Sequence, residues 1–298
     1  MENTNILKPS AQKMIIQGVL KEKKLETKSG EKGEYISGNI IVKATDDSTV
    51  AVRLFANKYS TDKVTGEKKE NSFFTHLENV RDNYVSEAEI AKNNLIDKKP
   101  TLVNVVGARF DKNDYYNAKT GLTVQGVCVQ GLNVYEFTKP EHEIAANISF
   151  AITAYLYKMA DELNDGMPTG RKKCTLLFPV YAGKLAQMEV VATPEISNYL
   201  EMEGAGNTFK LEGLIKNITV AAPVANTGIG QQAMPPVTRV IRETVITYIP
   251  ADGLVQEGTE GYMSPENIKL AIAEREASIA ALQEKASTAT INDVATIF

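Results

Sequence analysis

The sequence predicts a mainly β protein: two tandem OB-type five-stranded barrels, then a C-terminal helix and a flexible tail. Three observations carry this. Short segments alternating apolar and polar residues recur with turn signals between them. The order three strands, short helix, two strands runs once before Pro140 and again after it. A long stretch of helical apolar spacing opens only at Ser264. With 298 residues the chain can bury a core without staples, and it divides into a first barrel (1–140), a second barrel (141–220) and a C-terminal part (221–298).

In the first unit, Met14 to Lys24 alternates and then gives way to the turn-rich Glu26-Thr-Lys-Ser-Gly-Glu-Lys-Gly33. Tyr35 to Ala44 reads as the second strand, Asp46-Asp47 as a tight turn, and Thr49 to Phe55 as the third strand. Lys58 to Asn71 reads as a long polar loop, mobile until a ligand orders it. Ser86-Glu-Ala-Glu89 is a capping box, in which the serine oxygen accepts from a free helix N–H and the glutamate reaches back. The short helix it opens ends near Asn93-Asn94. Thr101 to Phe110 is strand four, Asn117-Ala-Lys-Thr-Gly121 a hairpin turn, and Leu122 to Phe137 strand five.

In the second unit, Ile144 to Lys158, Cys174 to Tyr181 and Leu185 to Ala192 read as strands, and Pro194 opens a helix to Glu201. Thr208 to Val220 follows as a strand. Residues 221–236 read as a linker, and 237–249 as a strand added to one of the barrels. Ser264-Pro265 opens a helix to about Lys285, with Ile268, Ile272, Ile279 and Leu282 on one stripe. That stripe would also let two chains pair as a homo-oligomer.

Composition excludes several classes. No apolar run approaches the roughly 20 residues of a membrane span, and the N-terminus lacks a secretory layout, so a cytoplasmic protein is expected. Cys128 and Cys174 stand in apolar, strand-like surroundings and read as buried reduced thiols. His76 and His142 are isolated, and no metal-ligand spacing exists, so no cofactor and no catalytic group are expected. Gly166 to Lys172 and Gly228 to Ala233 resemble nucleotide-binding motifs as text but lack the strand–turn–helix setting those motifs need.

What remains is a binding surface. The net charge of −4 divides into +3 over residues 1–140 (21 Lys+Arg, 18 Asp+Glu) and −7 over the rest (12 against 19). A barrel that grips single strands sets cations along the backbone and aromatic faces under the bases. The first unit offers Lys21, Lys23 and Lys24 with Tyr35, then Arg53 and Phe55 on one face of a strand, then Lys58 and Tyr59. Near the last hairpin stand Arg109, Phe110, Lys112, Tyr115 and Tyr116, with Phe110 open to a core role as well. The second unit offers Arg171 and Lys172; packing on the first barrel, assembly and DNA contact stay open for it.

These residues resemble a family. Ile16-Gln-Gly-Val-Leu20, Gly38-Asn-Ile-Ile-Val42, Arg53-Leu-Phe55, Val105-Val-Gly-Ala-Arg109, Gly126-Val-Cys-Val-Gln-Gly131 and Leu176-Leu-Phe-Pro-Val-Tyr-Ala-Gly183 resemble phage-encoded single-stranded-DNA-binding proteins with two barrels. The resemblance implies sequence-tolerant coating of single-stranded DNA in replication and recombination, with contacts at Arg53, Phe55, Tyr115 and Tyr116. It also implies docking of replication or recombination proteins on a tail, for which Asp293, Ile297 and Phe298 are the candidates; a frayed terminus is the alternative. The rival reading is a structural protein, such as a virion component, using its barrels as protein–protein modules.

Overall fold

The computed structural model describes residues 7–31, 33–62, 65–117, 119–164, 166–221 and 238–295. The expected linker 221–236 lies almost wholly outside the described residues, as do Ile297 and Phe298.

The first barrel opens with three long antiparallel strands, β1 (Gln12–Gly30), β2 (Gly33–Thr45) and β3 (Ser48–Asn57). Their inward positions are buried aliphatics such as Ile16, Leu20, Ile40, Val52 and Leu54, each contributing about 1.5–3 kcal/mol on leaving water. At Gly38 the strands approach so closely that a Cβ would stand 1.7 Å from the Lys24 carbonyl oxygen.

The stretch expected as a polar loop holds a small hairpin, β4 (Tyr59–Thr61) with β5 (Lys68–Glu70). Next comes a helix not anticipated from the sequence, α1 (Ser72–Asn83). Asn71 caps it by accepting from the Phe73 N–H, and Phe74, Leu77 and Val80 bury its inner stripe. Then α2 (Glu87–Asn93) follows the Ser86–Glu89 capping box, with Asn94 in the left-handed conformation at its end.

The fourth barrel strand is bent into β6 (Leu102–Val106) and β7 (Arg109–Lys112) at Gly107, whose φ is 66°. The hairpin β8 (Tyr115–Asn117) and β9 (Leu122–Val124) leads into the fifth strand, β10 (Val127–Gln130) and β11 (Asn133–Glu136). β10 runs parallel to β3 and antiparallel to β7, β11 pairs β6, and β6 pairs β1, which closes the barrel.

The second barrel comprises β12 (Ile148–Asn164), β13 (Met167–Pro179), β14 (Leu185–Ala192), α3 (Pro194–Glu203), β15 (Thr208–Ala221) and β16 (Thr238–Tyr248). β16 runs parallel to β14 and antiparallel to β15, while β15 pairs β12. The strand expected as an addition is therefore the fifth strand of this barrel, which has no closure without it. A two-residue strand, β17 (Leu254–Val255), edges β15.

The barrels share one sheet. Gln12 to Ile15 of β1 pair with Ser149 to Ile152 of β12 before β1 continues into the first barrel. Phe110 fills the junction, its ring 5.3 Å from Phe150 and 6.4 Å from Phe178. The last element, α4 (Pro265–Ala295), runs ten residues past its expected end. No glycine or proline interrupts residues 286–295, so nothing in the chain stops the helix at Lys285. Asp293 thus stands on a helix rather than in an extended tail. Among the described residues no helix is long and apolar enough to cross a membrane.

Candidate nucleic-acid interface

β3 alternates strictly: Ser48, Val50, Val52, Leu54 and Ala56 are buried, while Arg53 and Phe55 face outward. Register then assembles a transverse row on that outer face. Lys24 of β1 stands opposite Asn39 of β2, Asn39 opposite Arg53, Arg53 beside Gln130 of β10, and Gln130 opposite Arg109 of β7. Three cations separated by two amides cross the five barrel strands. Arg109 Nη2 donates to Gln130 Oε1 at 3.3 Å, which holds that end of the row in place.

The neighbouring rows are Glu26, Ser37 and Phe55, then Lys28, Tyr35 and Asn57. Tyr35 and Phe55 lie diagonally across the strand pair with ring centroids 5.5 Å apart, and Phe55 is 47% exposed. An aromatic pair on the solvent side of a sheet offers a flat ledge of the kind on which bases stack. β4 continues from the end of β3 and presents Tyr59, also 47% exposed. Lys58 beside it is committed to Glu34 at 2.5 Å, and that hydrogen bond raises its pKa above the ordinary lysine value. Lys24 pairs with Glu22 at 2.6 Å on an exposed surface, a contact that salt or a phosphate readily displaces. Lys21 falls in the bulge between Leu20 and Glu22 and is exposed.

The loop between strands four and five borders the row. Arg53 Nη2 donates to Asn113 Oδ1 at 3.0 Å. Lys112 Nζ lies 3.4 Å from Asp114 Oδ2. On the β8–β9 hairpin Tyr115 is 45% exposed and Tyr116 half-buried. Lys21, Lys24, Tyr35, Arg53, Phe55, Tyr59, Arg109 and Tyr115 thus reach solvent from one barrel.

Four expected residues are placed elsewhere. Phe110 is 3% exposed and is a core residue of the junction, so no base reaches it. Lys23, with a side chain 6% exposed, donates to the carbonyls of Val80 and Arg81 and pairs with Glu89 at 3.4 Å. It satisfies the free carbonyls at the end of α1, where a cation is favoured. Arg171 lies 2.6 Å from Glu243 and 3.4 Å from Glu162, and Lys172 lies 2.6 Å from Asp161 and also contacts Glu201. Those carboxylates occupy both cations, and the hydrogen bonds that Lys172 donates to Asp161 and Glu201 raise its pKa.

In the second barrel the corresponding face, β12–β14, is covered at its Tyr155, Leu177 and Leu185 end, while Tyr157, Lys173 and Glu189 stay exposed. Tyr155, Leu177 and Leu185 pack with Leu7, Met263 and Ile268, so α4 and its approach lie on the strands that stay open in the first barrel. Ser264 caps α4 by accepting from the Asn267 N–H at 3.2 Å, and Met263 N–H donates to the buried Thr208 hydroxyl at 3.2 Å.

Asn39, Gln130 and Asn113 join the face without having been singled out, because their membership depends on pairing register and loop placement. Alternation in β2 would have found Asn39, two residues from Ile41 on the same side. Among the described residues no three His, Cys, Asp or Glu side chains gather as a metal site.

No functionally curated protein matches the chain. Among solved structures it is similar to the wild-type single-stranded DNA binding protein from Thermus aquaticus, at 14% identity and a TM-score of 0.45, covering 84% of this chain and 98% of that one. A deletion variant of the same Thermus aquaticus protein aligns at 12% identity and a TM-score of 0.46, covering 85% and 98%. The family model described as YorF matches residues 11–285, from the first strand through both barrels and into α4, and the chain belongs to the YorF family.

Proposed function

We propose that the chain binds single-stranded DNA without catalysis and with little sequence preference, using the outer β1–β2–β3 face of its first barrel. The observation that carries this is the row Lys24, Asn39, Arg53, Gln130 and Arg109 set beside the exposed Tyr35–Phe55 ledge. Cations steer and hold the phosphates, while the ring faces accept any base. The second barrel, its equivalent face partly under α4, serves as a brace. The resemblance of the sequence to phage single-strand binders extends the reading to protection of strands during replication and recombination in a host cytoplasm, with partner proteins docking at the C-terminus.

The test is fluorescence anisotropy with a labelled mixed-sequence single strand and a duplex competitor, at about 0.05 M and about 0.5 M salt. Binding to the single strand, weakened steeply by salt and little affected by duplex, is the expected result. Absence of binding at the lower salt overturns the proposal and favours the assembly reading, to be followed by a measurement of oligomeric mass.

A further inference from the structure

Beyond the face described above, the junction of the two barrels forms a cleft of about 260 Å³ lined by residues of both. From the first barrel come Asn39, Arg53, Asn113 and Cys128; from β16 of the second comes Arg242. The paired strands β15 and β16 extend past their own barrel as an arm, and Asn217 docks that arm on the first barrel. Its N–H donates to the Asp47 carbonyl at 2.7 Å, and its Nδ2 donates to Thr49 Oγ1 at 2.6 Å. Arg242 is the cross-strand partner of Asn217, so it lies on the same side of the arm. Glu243, the next residue, is engaged by Arg171 and belongs to the other side.

Arg242 differs from the other arginines named so far. Among the described residues no acceptor lies within hydrogen-bonding distance of its guanidinium, and no carboxylate lines the cleft. The residue is exposed to solvent, and the strands packed around its guanidinium lower its pKa from the ordinary arginine value by partial desolvation. Its unpartnered donors, on the same cleft as those of Arg53, offer an anion a charge-assisted, forked docking point. Arg53, across the cleft, spends one nitrogen on Asn113 and has further donors free.

We propose that Arg53 and Arg242 form a two-arginine clamp for a backbone phosphate, through which a single strand leaves the first barrel's face and crosses onto the second barrel. The inference rests on the single-strand-binding reading and specifies the path of the strand. The arm supplies a contact that the first barrel alone lacks, and the second barrel thereby touches DNA although α4 covers one end of its β12–β14 face.

Two measurements on the full chain test it, both with a labelled single-stranded oligonucleotide of about 30 nucleotides, long enough to run past one barrel. In the first, Arg242→Ala should weaken binding about tenfold at about 0.1 M salt and lower the slope of log affinity on log salt by about 0.7, the loss of one phosphate contact. Arg242→Lys should keep the slope while losing part of the affinity, since an ammonium carries the charge without the fork. The second uses the unsubstituted protein. Cys128 lines the cleft and Cys174 is buried, so alkylation reports on the former, and bound oligonucleotide should slow Cys128 modification several-fold. An Arg242→Ala slope and affinity equal to the unsubstituted protein's, or Cys128 modified equally fast with and without the strand, overturns the clamp. If the unsubstituted protein binds the strand while either of those results holds, the clamp alone fails; if it binds no strand at all, the functional reading fails with it.

Discussion

Arg275 Nη2 lies 3.1 Å from Asp114 Oδ1, with the Asp114 side chain fully buried and that of Arg275 8% exposed. The pair spans 161 positions and ties α4 to the loop that borders the first barrel's outer face. Arg275 Nη1 also donates to Gln125 and Gln187, each at 3.2 Å, so one guanidinium gathers the loop, β14 and α4. Removing Arg275 leaves the buried Asp114 with Lys112 as its remaining cation, 3.4 Å away, so Arg275→Ala should destabilise the protein by about 1.5–3 kcal/mol. Urea unfolding measures this, and a loss under about 1 kcal/mol would show that the site rehydrates without cost.

Phe55 and Phe110 are both aromatic and both were candidates for base stacking, yet their substitutions should separate cleanly. Phe55→Ala should weaken single-strand binding by about 1–3 kcal/mol and move the unfolding midpoint far less than a core substitution, because the residue is 47% exposed and lies outside the core. Phe110→Ala opens a hole between Phe150 and Phe178 and should cost about 3–5 kcal/mol of stability. Parallel anisotropy and urea titrations on the two variants check both halves.

The capping box of α2 carries a pH dependence. Burial pushes the Glu89 carboxyl upward, but hydrogen bonds from the Ser86 N–H and hydroxyl, with Lys23 nearby, outweigh it and hold the pKa below its ordinary 4.5. A folded pKa beneath the unfolded one means that this stabilisation is complete above pH 4.5 and is lost as the pH falls through the lower, folded value. Glu89→Gln should cost about 1 kcal/mol at neutral pH and flatten the acid limb of stability. Urea midpoints from about pH 3 to about pH 7 provide the readout, and an unchanged acid limb would assign the dependence to other groups.

α4 packs over a cluster of apolar side chains on the second barrel. A chain ending at Ser264 takes Ile268, Ala271 and Ile272 away from Tyr155, Leu177 and Leu185, which keep only Leu7 and Met263 as cover. It should bind a hydrophobic dye strongly and lose at least about 3 kcal/mol, from about 1.5–3 kcal/mol for each large side chain returned to water. Dye fluorescence at equal concentrations of the full and shortened chains decides this, and equal signals would mean that the face closes without the helix.

Period-two alternation was enough to place ten strand segments, because the residues that alternate are the ones that line the two barrels. The capping box at Ser86 was equally direct, since its two hydrogen bonds are local. Arg53 and Phe55 could be put on one face from strand geometry alone. Helix α1 was lost although Asn71, Phe74, Leu77 and Val80 carry its cap and stripe; the polar stretch before it masked the change of period. Phe110 and Lys23 have roles set by distant partners, the rings of the second barrel and the carbonyl end of α1, which no local pattern reveals. Arg242 lay in an ordinary strand pattern, and only docking of the arm on the first barrel gives it a neighbour in Arg53.

The sharing of β1 by both barrels bears on how much strand one molecule occupies. Backbone pairing of Gln12–Ile15 with Ser149–Ile152, with Phe110 at the seam, joins the two halves through a common sheet rather than a linker. Tandem modules joined by a loose tether can engage a polymer with one unit or two and so change their footprint with salt or crowding. On the proposed function, a pair joined through a common strand presents one continuous surface, and its occluded length should stay constant as protein is added to the strand.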